Sequence, residues 1–147
     1  MKIVNKKAHH NYNVKDSFEA GIVLTGSEVK SIRNGRCNLS DAYVKFLGND
    51  LYLINADIAK YTNDGSDGYD SSRSRKLLLK RKEIESLRSK MKQGRLVLFP
   101  LSVYTSRNLI KVEVGLGSGK RNYEKKSVEK DRDVKREMAR IRRKHMV

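Results

Sequence analysis

The chain has 147 residues, with 33 Lys+Arg against 17 Asp+Glu and a formal net charge of +16. That length fits one domain with an appendage and is enough to bury a core. The charge favours a polyanionic partner, nucleic acid before an anionic membrane surface, and no stretch approaches the ~20 apolar residues of a membrane span.

The opening MKIVNKKAHHNY lacks the apolar run of a secretory signal. A lone Cys37 cannot form an internal disulfide. Both features predict a cytoplasmic protein. Residues 1–18 read as an irregular basic lead-in with room for a short helix. From Glu19 the period becomes two: Ala20, Ile22 and Leu24 alternate with Gly21 and Val23, as in a half-buried strand. SEVKSIRNG (27–35) fits either a short helix closed by Gly35 or a bent strand. DAYVKFL (41–47) and DLYLIN (50–55) predict two strands. Val44 and Phe46 share a face in the first, and Leu51 and Leu53 in the second. GND (48–50) between them reads as a hairpin turn.

TNDGSDGYDSS (62–72) has loop chemistry. In KRKEIESLRSKMKQG (80–94), Ile84, Leu87 and Met91 fall at helical spacing. Lys80 is a poor N-cap there, and Gly94 sits where a helix-closing glycine belongs. RLVLF (95–99) and LIKVEVG (109–115) predict the last strands. Ile110, Val112 and Val114 share one face of the second. Pro100 marks a bulge or an edge. This order predicts a mainly β fold: an OB-like antiparallel β-barrel with peripheral short helices, a class that commonly binds nucleic acid on one face.

After Gly119 the composition shifts. Residues 120–147 hold twelve Lys/Arg and five Asp/Glu, a charge density about three times that of residues 1–119. The expected division is therefore a barrel over 1–119 and a basic tail over 120–147. The tail has too few apolar residues to close a core and is expected to be largely disordered alone. Val134, Met138 and Ile141 would share a helix face once a polyanion neutralises the charge.

GLGSGKRNYEKK (115–126) resembles a phosphate-cradling loop at first sight. A P-loop needs G-x-x-x-x-G-K-[ST]. Aligned on Gly119-Lys120, Val114 stands at the first glycine and Arg121 at the hydroxyl position, so nucleotide binding is set aside. Two readings remain: glycines after a strand that let backbone approach closely, with Lys120 and Arg121 meeting a phosphate, or a hinge with solvated charges. Segment 73–95 holds ten Lys/Arg and two Glu. It reads as a solvated face or as a stripe that neutralises phosphates. Alternation in RSRKLLLKRK (73–82) would put charge on both strand faces.

Glu19 and Glu28 are read at strand positions. Each is an ion-pair partner or an acceptor for RNA base edges and hydroxyls. Tyr123, an aromatic in a basic segment without a core, suits base stacking. No metal-ligand spacing and no paired carboxylates are evident, so the chain is predicted to be no enzyme and to need no metal or cofactor.

Four stretches carry a family resemblance: NKKAHHNY (5–12), EAGIVLTGSEVKSIRNGRCNLSDAYV (19–44), RSRKLLLKRKEI (73–84) and GLGSGKRNYEKK (115–126). They run in the order of the SsrA-binding protein (small protein B) family and span essentially the whole chain. The resemblance implies a non-enzymatic RNA-binding protein that binds the tRNA-like domain of tmRNA (SsrA RNA), as a monomer. It would deliver tmRNA to stalled ribosomes for trans-translation. The barrel would hold the elbow of the tRNA-like domain, and the tail would enter the empty mRNA channel against small-subunit rRNA.

Carried over by position, Asn5, Glu19 and Leu78 lie on the tmRNA-binding face, and Lys6, Lys7, Arg75, Lys76, Gly119 and Lys120 in the same basic surface. Tyr123 would stack on a decoding-centre base. Glu124, Lys125 and Lys126 stand at the tail entrance, and Ile141 in the tail helix. The chain departs from the family pattern at Tyr69 and Ser71, where His and Pro are usual, at Lys80, where a capping residue is usual, and mildly at Ser27. Lys126 replaces an arginine and so lacks its bidentate geometry.

Overall fold

The structure is a computed structural model that describes residues 1–61 and 68–120. The lead-in is ordered, not irregular. It forms β1 (Lys2–Val4) and α1 (Lys6–Asn11), and β2 (Tyr12–Ile22) follows without a linker. Asn5 starts α1, its side chain accepting from the Ala8 N–H at 3.2 Å. β2 thus begins seven residues before Glu19. Its first half escapes periodicity because most of its side chains are exposed and a bulge at Val14/Asp16 interrupts the alternation. Pairing with β9, not local pattern, makes it a strand.

The ambiguous SEVKSIRNG resolves as helix α2 (Gly26–Arg33). Thr25 accepts from the Glu28 N–H at 3.2 Å, and Glu28 accepts from the Thr25 N–H at 3.0 Å. This reciprocal cap satisfies two backbone donors at once. Glu28 is therefore a helical residue, not a strand residue. Gly35 leaves the helix at φ +74°, where a side chain would be strained. β3 (Cys37–Asn38) pairs with β6 (Asp57–Ile58) in a small separate sheet.

β4 (Tyr43–Leu47) and β5 (Asp50–Ile54) form the expected hairpin, closed by Leu47↔Asp50. β7 (Arg75–Leu78) leads to α3 (Arg81–Lys92), whose Lys80 start has no side-chain cap. Gly94 follows the helix as expected but without a positive φ. β8 (Val97–Ser106) and β9 (Leu109–Gly119) turn on Arg107 and Asn108, at φ +50° and +65°. The predicted break at Pro100 is a bulge, since register shifts between Pro100 and Ser102 and β8 runs on.

The pairings close a ring in the order β8-β4-β5-β7-β2-β9 and back to β8, all antiparallel, with β1 added to β8. The expected faces turn inward: Leu51, Leu53, Leu77, Val103, Val112 and Val114 are each at most 2% exposed. Leu87 of α3 joins this core. A second cluster of Ala8, Phe99 and Leu101, with Tyr12 against it, sits under α1.

The glycine-rich stretch corrects one reading. Glycines 115, 117 and 119 lie inside β9, neither following it nor forming a hinge. A Cβ on Gly115 would stand 2.5 Å from the Phe99 ring, and one on Gly117 only 2.0 Å from Asn13 O. Close approach explains these two. Nothing lies within 4 Å of a Cβ on Gly119.

Candidate nucleic-acid interface

Register brings one set of outward side chains together. Gly21 of β2 lies between Lys111 of β9 and Leu78 of β7, and Lys111 opposes Tyr104 of β8. Residues paired across strands share a face. One rung along, Glu19 opposes Glu113. Like charges in that position repel, and each carboxylate has a hydroxyl donor. Tyr104 Oη donates to Glu19, and Ser102 Oγ donates to Glu113 at 3.2 Å. Partial burial, then the bond to Glu19 and the nearby carboxylate charges, push the Tyr104 phenol up to about 12. It stays protonated and donating at neutral pH.

Leu78 stands 51% exposed at the centre of this wall. It rests on Gly21, where a Cβ would come within 3.2 Å of Leu78 Cβ. Lys76 follows on the same side of β7, opposite Tyr52, which opposes Lys45. The wall therefore combines an exposed aliphatic side chain, acceptor carboxylates and a lysine margin. Sequence reading reached Glu19, Lys76 and Leu78 but missed Tyr104, Lys111 and Glu113, because only the β2–β9–β8 register aligns them. Replacing Gly21 with alanine is expected to tilt Leu78 and cost roughly 1 kcal/mol of RNA binding, about fivefold, with little change in melting temperature. Parallel binding and melting curves separate the two effects.

The remaining expected surface residues divide. Arg75 is not on the surface at all. It is 0% exposed, with Nε 2.8 Å and Nη2 2.5 Å from Glu28 Oε2 and Nη1 2.6 Å from Ala56 O. Arg73 also pairs with Glu28. Tyr69 Oη accepts from Arg75 Nη2 at 3.2 Å and lies 2.8 Å from Ile58 O. Tyr69, a departure from the family pattern, thus completes the Glu28 network. Burial raises the Glu28 carboxyl, but bonds from the Thr25 N–H, Arg75 and Arg73 outweigh it and hold the group below its ordinary range. Charge on β7 therefore does not lie on both open faces: one arginine points in and is neutralised.

Asn5 is likewise buried, at 5%. Its Nδ2 donates to Pro100 O at 2.9 Å and Leu39 O at 3.1 Å, so it fixes α1 rather than facing a ligand. Lys6 and Lys7 are exposed on α1, with Lys7 3.1 Å from Asp41. Lys120 joins them: its N–H donates to Asn11 O at 2.7 Å and its Nζ to His9 O at 3.0 Å. Gly119 is the exposed last residue of β9, opposite Tyr12. Tyr123, Glu124, Lys125, Lys126 and Ile141 lie outside the described residues.

Among the described residues no group of three His, Cys, Asp or Glu is placed to hold a metal. No helix among them is long and apolar enough to cross a membrane. Burial pushes the free Cys37 thiol up to about 11, which leaves it a poor nucleophile.

A closed antiparallel ring with such an outer wall belongs to the small OB-like β-barrels, a class that commonly takes nucleic acid on one face. Residues 2–144 match the SmpB protein family, and the chain belongs to that family. The SsrA-binding protein of Dehalococcoides mccartyi (strain CBDB1) is 46% identical over 136 residues, covering 92% of this chain and 79% of that protein. The SsrA-binding protein of Sulfurihydrogenibium sp. (strain YO3AOP1) is 48% identical, covering 91% and 88%. A solved structure described as "tmRNA-SmpB: a journey to the center of the bacterial ribosome" matches with a TM-score of 0.67 at 38% identity, covering 85% of this chain and 92% of that one.

Proposed function

We propose that this protein binds the tRNA-like domain of tmRNA and delivers it to stalled ribosomes for trans-translation. Membership of the SmpB family over nearly the whole chain supports this. The observation that carries the reading onto residues is the wall of β2, β7, β8 and β9. There an exposed Leu78 lies beside Glu19, Glu113 and Tyr104. Aliphatic contact and carboxylate acceptors recognise unpaired bases and ribose hydroxyls, while Lys45, Lys76 and Lys111 neutralise phosphates.

In this reading residues 1–119 form the RNA-binding unit and 120–147 the segment that engages the small-subunit rRNA. Tyr123, Glu124, Lys125, Lys126 and Ile141 contribute there. Lys6, Lys7 and Lys120 add a second basic area around α1. The protein acts without catalysis, metal or cofactor, as a monomer on tmRNA, in the cytoplasm.

A competition assay tests this. Labelled tmRNA should stay bound at near-physiological salt in the presence of excess tRNA, and should remain intact. Glu19→Ala combined with Leu78→Ala should weaken binding by about tenfold or more, which corresponds to about 1.4 kcal/mol per tenfold. Unchanged affinity would sink the assignment of this wall. Full displacement by tRNA would leave only charge-driven binding.

A further inference from the structure

β7 has a choice of register that its own sequence leaves open. Its inward side chains are Arg75 and Leu77, and its outward ones Lys76 and Leu78. Leucine runs from 77 to 79. We propose that Glu28 is a positioning residue for RNA binding: by holding Arg75 it selects the register of β7 that sets Leu78 on Gly21. This rests on the function proposed above.

The competing register is a slip of two residues. Strand side chains alternate, so a two-residue slip keeps every side chain on its face. Leu77 would fill the place of Arg75, and Leu79 the place of Leu77. Two leucines would then point inward, against one leucine and one charged side chain in the observed register. Leu79 is already half-buried against the core. Apolar burial alone therefore favours the slip.

The backbone resists it weakly. β7 is a short strand that meets β2 at Gly21↔Leu78 and Ile22↔Leu77. A ladder shifted by two residues offers the same donors and acceptors. The next element does not hold the strand end either. Lys80, which starts α3, makes no side-chain cap bond, so drawing it into the strand breaks no cap.

The buried charge decides. Arg75 Nε and Nη2 reach Glu28 Oε2 at 2.8 and 2.5 Å, and Nη1 reaches Ala56 O at 2.6 Å. After the slip Arg75 would stand in the half-exposed place of Arg73, and Leu77 would face Glu28 Oε2 and Ala56 O. Both acceptors are buried and would lose these donors. A buried carboxylate stripped of its donors costs more than one extra leucine gains. Single buried polar side chains can select a register in this way, at a cost in stability.

The register reaches the wall through Leu78. As observed, Leu78 packs on Gly21, and Lys76 stands opposite Tyr52. After the slip Lys80 would lie over Gly21 and Leu78 opposite Tyr52. The aliphatic centre beside Glu19 and Tyr104 would become a lysine. Glu28 is itself buried, so it acts on RNA through Arg75 and β7 alone.

Full-length Glu28→Leu combined with Arg75→Met removes the charge pair and leaves the volume similar. Nuclear Overhauser contacts of Gly21 read the register directly. They should reach Leu78 in the wild type and pass to Lys80 in the double variant. Labelled tmRNA should then bind about tenfold more weakly, while the melting temperature stays above that of either single replacement. Adding Leu79→Thr removes the second inward leucine, and should return both the Gly21–Leu78 contacts and the affinity. Gly21–Leu78 contacts that persist in the double variant would overturn the register role. Contacts that pass to Lys80 with unchanged affinity would overturn the role in RNA binding. Should the double variant not fold, Glu28→Gln held below its lowered melting temperature decides by the same two readings. Failure of the wild type to retain tmRNA would overturn the function proposed above, and the Gly21 contacts would still decide the register.

Discussion

Glu28→Gln is expected to destabilise the barrel by about 3–5 kcal/mol, the usual cost of breaking a buried ion pair from one side. Glu28 is 1% exposed and Arg75 0%. Without the negative charge, Arg75 keeps its own charge uncompensated, and the amide NH2 that replaces one carboxylate oxygen faces donors, either Arg75 on one side or the Thr25 N–H and Arg73 on the other. The melting temperature should fall by on the order of 10–20 °C. The pH dependence carries a second signature. The folded protein holds the Glu28 carboxyl below its ordinary value of 4.5, so its contribution is complete above that pH. It is lost as pH falls through the lower folded value. Glu28→Gln should therefore show a flatter loss of stability below about pH 4.5 than wild type. Thermal melts across an acid series check both effects. A wild-type-like melt would mean that the pair is not buried as described.

Gly117→Ala is expected to be the most disruptive single-methyl change in β9. The added carbon would meet Asn13 O at 2.0 Å, Asn13 C at 2.9 Å and Val14 Cα at 3.1 Å. All three are backbone atoms, so no rotamer change relieves the contact. β2 and β9 must separate, at about 1–3 kcal/mol or more. The damage should spread along the ladder to Tyr12↔Gly119 and the Lys120–Asn11 bond, which sets the direction in which the chain leaves the barrel. Amide exchange at Lys120 should accelerate, and small-subunit binding should weaken more than tmRNA binding. Gly119→Ala, with open space around it, should stay within about 0.5 kcal/mol of wild type. Equal melting of the two variants would remove the close-approach account of Gly117.

Much of the ring was legible in the sequence because alternating apolar residues have one buried face to fill. Leu51 and Leu53, or Ile110, Val112 and Val114, announce both strand and orientation. Tyr12–Phe18 did not, because that half of β2 is held by pairing with a strand about a hundred residues later. α2 was readable in principle: Thr25 and Glu28 have capping-box spacing, a signal that outweighs the polar composition of the helix. At the site, individual residues such as Glu19 and Leu78 could be named, but their neighbours Tyr104, Lys111 and Glu113 depend on register. Arg75 and Asn5 misled for a common reason. A charged or amide side chain reads as surface unless its buried partner is known, and those partners lie 47, 34 and 95 positions away.

The Glu28–Arg75 pair also constrains how the sequence can change. It joins EVKS and RKLLL, two stretches far apart in the chain, through one carboxylate and one guanidinium. Replacing Glu28 or Arg75 alone leaves a buried charge on the other, whereas a matched apolar pair of similar volume avoids that penalty. A single replacement at position 28 or 75 is therefore expected to cost more stability than a matched double replacement.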